Sequence, residues 1–341
     1  MKTAQNSIIE MPAWELSRQI HEKKISCRDV MSSYLDHIDK VNPRVNAIVA
    51  LQDRDVLMKQ AGEKDRALET GESDGWMHGF PQAVKDLEEA KGIVTTYACR
   101  VFKDFVPQVD SLIVARMKKA GAVVIGKTNT PEWGLGSQTY NELYGATCNP
   151  YDHSLTCGGS SGGAACALAM RMQPVADGSD FMGSLRNPAG YCNVYGYRPS
   201  WGCVPYTGFE LFASTFSTRG PMARNVADLA LLLGTLAGIA EDEKIPLCLS
   251  DDPDLHALTP YNVHDRLKTE VQGKKVAWLG DWDGYLPMEA GVLEVCEKAL
   301  KTFPSFGVMV ENIAPPYDPE VLWNEVWLPL RHFTSQSFKP L

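Results

Sequence analysis

The chain has 341 residues, of which 44% are apolar and 22% are charged, so it can bury a large core and is not predicted to be disordered. Its formal net charge is −9 and its basic residues are scattered, which argues against direct binding of nucleic acid. The first residues lack the apolar core of a signal peptide, and the apolar stretch at 229–240 is too short to span a bilayer. We therefore expect a soluble cytoplasmic protein with no membrane partner.

Cysteine and histidine spacing bears on disulfides, metals and cofactors. The nine cysteines form no C-x-x-C pair and are widely spaced, which predicts buried free thiols. The seven histidines show no H-x-x-x-H or H-E-x-x-H arrangement, and no dinucleotide fingerprint follows a predicted strand. We expect neither a metal nor a cofactor.

Helical patterns dominate the first seventy residues. A helix is predicted at 11–23, and Ser26 with Asp29 predicts the capped start of a second helix. A short strand is predicted at 46–51. The apolar face of the second helix consists of Val30, Tyr34 and Ile38.

Beyond Gly79, short apolar runs alternate with helix patterns. Strands are predicted at 82–84, 122–126, 174–176 and 275–280, and helices at 110–121, 164–170 and 226–238, the last capped by Asn225. This alternation predicts an α/β fold with a central twisted mixed β-sheet covered by helices on both faces. No repeat or low-complexity linker interrupts it, which favours one domain over residues 1–341.

An apolar helical face is predicted near the end of the chain. It needs a packing partner, which is either the core of this chain or a segment that the chain lacks. The residues of this face are Val321, Leu322, Trp323, Val326, Trp327 and Leu330.

Lys85 follows an apolar residue at the end of a predicted buried strand. Burial disfavours the charged form of a lysine. Lowering its pKa from about 10.4 to about 7 requires roughly 4–5 kcal/mol of destabilisation of the ammonium. A neutral lysine of this kind could act as a base. The alternative is an ion pair with Asp86 or another carboxylate nearby.

Two serine-containing segments could supply hydroxyls for nucleophilic chemistry. Ser160 and Ser161 lie among four glycines at 158–163, which could equally form a flexible loop or an anion cradle. Ser184 follows a predicted turn at 180–183, where successive N–H groups could point at one oxygen, although it could also be a surface serine.

Taken together, Val-Lys-Asp at 84–86, Gly-Gly-Ser-Ser-Gly-Gly at 158–163 and Gly-Ser-Leu-Arg-Asn-Pro at 183–188 resemble the amidase signature family. The segments at 126–132, 145–150 and 220–228 extend the resemblance. It implies an amidase-signature fold and a Ser-cis-Ser-Lys triad.

The resemblance also assigns a role to each residue of the site. Ser184 would be the nucleophile that becomes the acyl-ester, Ser160 in a cis peptide would relay the proton, and neutral Lys85 would be the base. Ser161 would orient the lysine. The implied oxyanion hole consists of the N–H groups of Phe181, Met182, Gly183 and Ser184, and the supporting residues are Asp180 and Arg186.

The chain departs from the family pattern in several places. Met182 replaces a glycine in the predicted oxyanion loop, Ser179 replaces a threonine, and Leu155 stands where many members have arginine or another polar residue. The sequence also ends earlier than family members usually do. We therefore expect a single amidase domain at 1–341 that lacks the family's C-terminal segment.

The expected function is hydrolysis of the C–N bond of a linear carboxylic amide, with a small-molecule amide as substrate and a homodimer as a possible assembly. One alternative is a non-catalytic or truncated amidase-like chain. Another is the amidase subunit of a tRNA-dependent amidotransferase, whose partner would hold the nucleic acid.

A third alternative treats the G-x-S-x-G match at 159–163 as an α/β-hydrolase elbow, with Ser161 as nucleophile. The histidines for that interpretation are His256, His264 and His332.

Overall fold

The computed structural model describes residues 8–205, 216–238 and 259–336. It has the predicted α/β architecture, in which helices alternate with short strands. Contacts divide the chain into two compact units, Met1–Leu267 and Lys268–Leu341. Two such units can belong to one domain, so the single amidase domain stays a prediction. Among the described helices, none is both long and apolar enough to cross a membrane.

The elements of the first unit agree with most of the sequence predictions. Its described helices are α1 (Ala13–His21), α2 (Cys27–Val45), α3 (Arg54–Glu69), α4 (Leu112–Lys119), α5 (Gly162–Ala169), α6 (Arg186–Tyr191), α7 (Val226–Leu236) and α8 (Pro260–Asp265). Its described strands are β1 (Ile48–Val49), β2 (Pro81–Lys85), β3 (Val123–Thr128), β4 (Tyr140–Asn141), β5 (Gly145–Ala146), β6 (Ala176–Asp180), β7 (Tyr195–Gly196) and β8 (Thr218–Ala223).

The strand predicted at 174–176 is wrong in its bounds. Strand β6 begins at Ala176 and continues through the polar residues 177–180, because its antiparallel register with β8 runs from Ala176 opposite Met222 to Asp180 opposite Thr218. An apolar run alone could not reveal a strand whose polar residues are fully enclosed.

Hydrogen-bonded caps fix the ends of two helices as predicted. The side chains of Ser26 and Asp29 form a capping box at the start of α2, and the predicted face of that helix is buried. Asn225 caps α7 by accepting the N–H of Asp228 at 2.8 Å. Asp228 in turn accepts the N–H groups of Ala13 (2.8 Å) and Trp14 (2.9 Å), so α7 holds the start of α1.

The larger sheets of the first unit are two groups of three strands. In one, β3 lies between antiparallel β1 and parallel β2, and in the other, β8 lies between antiparallel β6 and β7. On the edge of β2 that faces away from β3, side chains accept the backbone hydrogen bonds that a neighbouring strand would otherwise accept. Gln173 Oε1 accepts the Ala83 N–H at 2.9 Å, and Asp177 Oδ2 accepts the Lys85 N–H at 3.1 Å. The two groups are thus linked through the strand that carries Lys85.

Helix α5 packs closely on the segment after β3. A Cβ at Gly163 would lie 2.3 Å from Asn129 N, so only glycine allows this approach. The helix thereby holds the 158–163 loop against the end of the first sheet.

The described cysteines are free, and five of them are buried, as the sequence predicts. Burial raises the pKa of the Cys157 thiol to about 12 and that of Cys166 well above its ordinary value. The buried cysteines are Cys27, Cys99, Cys157, Cys166 and Cys192.

The second unit contains a parallel strand pair, β9 (Lys275–Trp278) and β10 (Met309–Asn312), connected through helix α9 (Val292–Leu300). Parallel neighbours require such a crossover. Helix α10 (Pro319–Val321), a π-helical segment (Leu322–Trp327) and helix α11 (Leu328–Gln336) follow, which confirms the predicted helical end of the chain. The members of its predicted apolar face that are exposed are Val321, Leu322, Trp323 and Val326.

Candidate active site

Lys85 is the last residue of β2 and has no solvent exposure. Its Nζ lies within hydrogen-bonding distance of three hydroxyl oxygens: 2.7 Å from Ser160 Oγ, 2.8 Å from Ser161 Oγ and 2.9 Å from Ser179 Oγ. The amine is thus enclosed by neutral groups, an environment that favours its uncharged form.

Burial lowers the pKa of Lys85 to about 7, although the nearby Asp177 carboxylate acts in the opposite direction. The alternative ion pair with Asp86 does not form. That carboxylate instead accepts hydrogen bonds from the Thr96 N–H (3.0 Å), the Thr96 hydroxyl and the Ala98 N–H (3.1 Å).

The glycine-rich loop brings Ser160 and Ser161 to the lysine. The peptide bond between Gly159 and Ser160 is cis, as the family resemblance implies. Ser161 Oγ donates to the Ser179 carbonyl (3.3 Å) and accepts the Ser179 N–H (3.2 Å), which ties the loop to β6. A Cβ at Gly159 would lie 2.8 Å from Gln138 N, so the loop also needs glycine before Ser160.

Ser184 lies beside this loop, just before α6. Its carbonyl accepts the Ser161 N–H at 2.9 Å, and the residue is partly exposed, whereas Ser160, Ser161 and Lys85 are buried. The structure therefore brings the three sequence-predicted segments together, with the lysine inside and Ser184 toward solvent.

Asp180 organises the turn that contains Ser184. Its carboxylate accepts the N–H groups of Gly183 (2.8 Å), Leu185 (3.3 Å) and Arg186 (3.3 Å), and the Arg186 guanidinium Nε at 2.9 Å. Burial alone would raise the pKa of Asp180, but these bonds and the Arg186 charge hold it below its ordinary value. An ionised Asp180 thus fixes the 181–186 backbone.

Comparison with known proteins identifies the family of this chain. A family model described as Amidase matches residues 29–336. The chain belongs to the amidase signature family. Enzymes of this family hydrolyse C–N bonds.

Relatives within the family differ in their described activities. The chain is 35% identical over 321 residues to an acylamidase of Rhodococcus erythropolis, covering 94% of this chain and 65% of that protein. It is also 35% identical over 302 residues to a glutamyl-tRNA(Gln) amidotransferase subunit of Thermosynechococcus vestitus, covering 89% of this chain and 60% of that protein. The chain thus spans less than two thirds of the length of these relatives.

Solved structures show the same fold. A bacterial aryl acylamidase of the amidase signature family superposes with a TM-score of 0.86 at 29% identity, covering 98% of this chain and 67% of that one. The native peptide amidase of Stenotrophomonas maltophilia superposes with a TM-score of 0.76 at 29% identity, covering 89% of this chain and 62% of that one. The predicted fold class is confirmed.

The loop that would hold an oxyanion has one of its predicted donors engaged. The Gly183 N–H donates to Asp180. The described residues offer no acceptor to the N–H groups of Met182 and Ser184. The Met182 side chain is 51% exposed, so it points away from the packed core. The role of Phe181, Met182, Gly183 and Ser184 in binding an oxyanion stays a prediction.

Sequence reasoning missed the contributions of Ser179, Lys127 and Asp177. The sequence marks Ser179 only as a replacement for threonine, but its hydroxyl contacts Lys85. Lys127 is a second buried lysine, whose Nζ donates to the Glu88 carbonyl; burial lowers its pKa to about 8. Asp177 carried no sequence signal, because it lies beyond the strand predicted at 174–176 and is buried only through the position of β6.

The α/β-hydrolase alternative lacks its structural context. That elbow requires a strand directly before the serine. Only an isolated bridge at Thr156 precedes the loop, and Ser161 contacts the lysine. Of the histidines considered for this alternative, His256 lies outside the described residues.

Tyr97, Phe102 and Trp133 form an aromatic cluster, and the backbone just after Trp133 passes close to Ser160. The Tyr97 and Trp133 rings stack with centroids 5.2 Å apart, and Phe102 meets Trp133 edge-on at 5.2 Å. Gly134 follows Trp133, and a Cβ there would lie 3.6 Å from Ser160 Oγ. The segment that carries Trp133 therefore lies close to the Ser160 hydroxyl.

Proposed function

We propose that this chain hydrolyses the C–N bond of a linear carboxylic amide through an acyl-enzyme on Ser184. The observation that carries the proposal is the position of Lys85, which is fully buried and contacts three hydroxyls. Membership of the amidase signature family supports the same reaction class.

The number of hydrogens on Lys85 indicates the direction of proton transfer. An uncharged amine has two hydrogens and one lone pair, so it donates to two hydroxyls and accepts from a third. Ser161 directs its hydrogen to the Ser179 carbonyl and is therefore an acceptor. When Ser179 accepts the second amine hydrogen, Ser160, at 2.7 Å, donates to the lone pair.

In acylation, the Ser184 oxygen attacks the amide carbon while its proton passes to Ser160, and the Ser160 proton passes to Lys85. The C–N bond then breaks, and the proton returns along the same route to the leaving amine. A water molecule attacks the ester and releases the carboxylic acid. Asp180 and Arg186 hold the loop, and its N–H groups stabilise the oxyanion.

The test combines an arylamide substrate with a fluorophosphonate probe, and the arylamide is chosen because the chain superposes on an aryl acylamidase. Ser184→Ala is expected to abolish turnover and the covalent adduct. Ser160→Ala is expected to lower kcat/KM by at least about 10²-fold, since it removes a positioned proton-transfer group. Exposed Ser154→Ala serves as the matched control and keeps wild-type activity.

Two outcomes would contradict this proposal. Folded wild-type protein without an adduct on Ser184 would support the non-catalytic alternative. Full amidase activity of Lys85→Ala at neutral pH would exclude the lysine as base.

A second candidate is the amidase subunit of a tRNA-dependent amidotransferase. Several curated relatives carry that description at 33–35% identity. Co-purification of a second subunit, with glutamine hydrolysis only in its presence, would favour this candidate over an independent amidase. Light scattering on the same preparation tests the predicted homodimer.

A further inference from the structure

Asp177 lies inside β6 with no solvent exposure. Its Oδ2 accepts the backbone N–H of Lys85 at 3.1 Å. Its other carboxylate oxygen, Oδ1, is buried and has no hydrogen-bond partner among the described residues. Burying a carboxylate with one oxygen that has no hydrogen-bond partner lowers the stability of the fold. A purely structural role therefore does not explain why an aspartate occupies this position.

Charged groups on several elements act on Asp177 or on Lys85. Lys85 lies on β2 and Lys127 on β3, Arg219 lies on β8, Glu88 follows β2, and Asp180 ends β6. Among the described residues, no cationic nitrogen comes within ion-pair distance of the carboxylate. Burial, together with the Glu88 charge, raises the pKa of Asp177 to about 6, so the group is mostly ionised at neutral pH.

We propose that Asp177 is a positioning residue that holds the backbone of Lys85 and supplies the negative charge facing this lysine when the lysine takes up the proton of Ser160. The inference rests on the proposed function, because that reaction is what forms the ammonium. The ammonium appears in a site whose closest partners are neutral hydroxyls, so a fixed negative charge nearby lowers the cost of forming it.

The competing explanation is structural. Gln173 completes the edge of β2 at Ala83 in the same way as Asp177 does at Lys85, without carrying a charge. A neutral side-chain amide can therefore accept the backbone N–H groups on this edge of β2. Asp177→Asn keeps an oxygen acceptor for the Lys85 N–H while an NH2 group replaces the other oxygen and the charge is removed, so it separates the two explanations.

The experiment follows arylamide hydrolysis against pH and, independently of activity, the ¹⁵N NMR titration of the Lys85 Nζ, assigned with Lys85→Ala. In Asp177→Asn, both the acid limb of kcat/KM and the NMR midpoint are expected to move to lower pH by at least about one pH unit. At the plateau, kcat is expected to fall by about 10-fold or more, with KM nearly unchanged. The matched control is Asp228→Asn, which neutralises a buried carboxylate that also accepts backbone N–H groups but lies on α7.

An unchanged midpoint and acid limb in folded Asp177→Asn would overturn the inference. If that variant does not fold, Asp177→Ser provides a smaller acceptor without charge and is held to the same criteria. A shifted NMR midpoint in a protein that hydrolyses no amide would refute the proposed function and leave the charge coupling in place, so the two failures are distinguishable.

Discussion

The protonation of Lys85 links the site to the stability of the fold. At its ordinary pKa, about one lysine in 2,500 is neutral at pH 7, whereas a pKa of about 7 leaves about half of the molecules neutral. The unfolded chain regains the ordinary pKa. Between pH 7 and 10.5, the unfolded state therefore binds a proton that the folded state does not hold, and the free energy of unfolding rises with pH.

This linkage gives a prediction for Lys85→Met. From pH 8 to 9.5, the unfolding free energy of the wild type should rise by about 2 kcal/mol more than that of the variant, because only the wild type has this titrating group. Urea denaturation at several pH values measures the difference. Exposed Lys40→Met should follow the wild type, and parallel curves for wild type and Lys85→Met would contradict the low pKa.

The family resemblance of the three short motifs put Lys85, Ser160, Ser161 and Ser184 in one predicted site. The structure brings the lysine into direct contact with Ser160 and Ser161. The sequence could not show that Ser179 is the third hydroxyl in contact with Lys85, because that contact depends on how β6 lies against β2. The contact of Asp177 was unpredictable for the same reason, since this residue lies beyond the predicted end of its strand.

At the scale of single elements, local chemistry was a good guide. Side chains that cap helices act within a few residues, so the cap formed by Ser26 and Asp29 and the cap at Asn225 were predictable and are present. Strand pairing joins residues far apart in sequence, so the very short strands β4, β5 and β7 gave no local signal.

Asn225 and Ser111 both precede a helix, but only the Asn225 side chain accepts a cap hydrogen bond, so alanine at the two positions should have different effects on stability. Asn225→Ala should lower the unfolding free energy by about 1 kcal/mol, because it removes the acceptor of the Asp228 N–H. Ser111 precedes α4 in the same position, but its side chain makes no cap hydrogen bond. Ser111→Ala should therefore cost much less, and equal losses in urea denaturation would contradict this explanation.

For the whole molecule, the alternation of strand and helix patterns was sufficient to predict the α/β class, which the solved relatives confirm. The grouping of the strands was not predictable. It depends on Gln173 and Asp177, whose side chains take the place of a neighbouring strand at the edge of β2.

The apolar core and every described contact of the Lys85 hydroxyl network lie within the first compact unit. We therefore expect a fragment of residues 1–267 to keep fluorophosphonate labelling of Ser184. Mass spectrometry of the labelled fragment checks this, with the same fragment carrying Ser184→Ala as the control. A folded fragment that takes up no label would show that the site needs residues beyond 267.

The enclosed thiols have a practical consequence. Alkylating reagents attack the thiolate, and burial both hides the sulfur atoms of Cys157 and Cys166 and keeps them protonated. Iodoacetamide should therefore modify them only in molecules that have opened. Counting modified cysteines over time by mass spectrometry would then report how often the interior is exposed, without any optical signal.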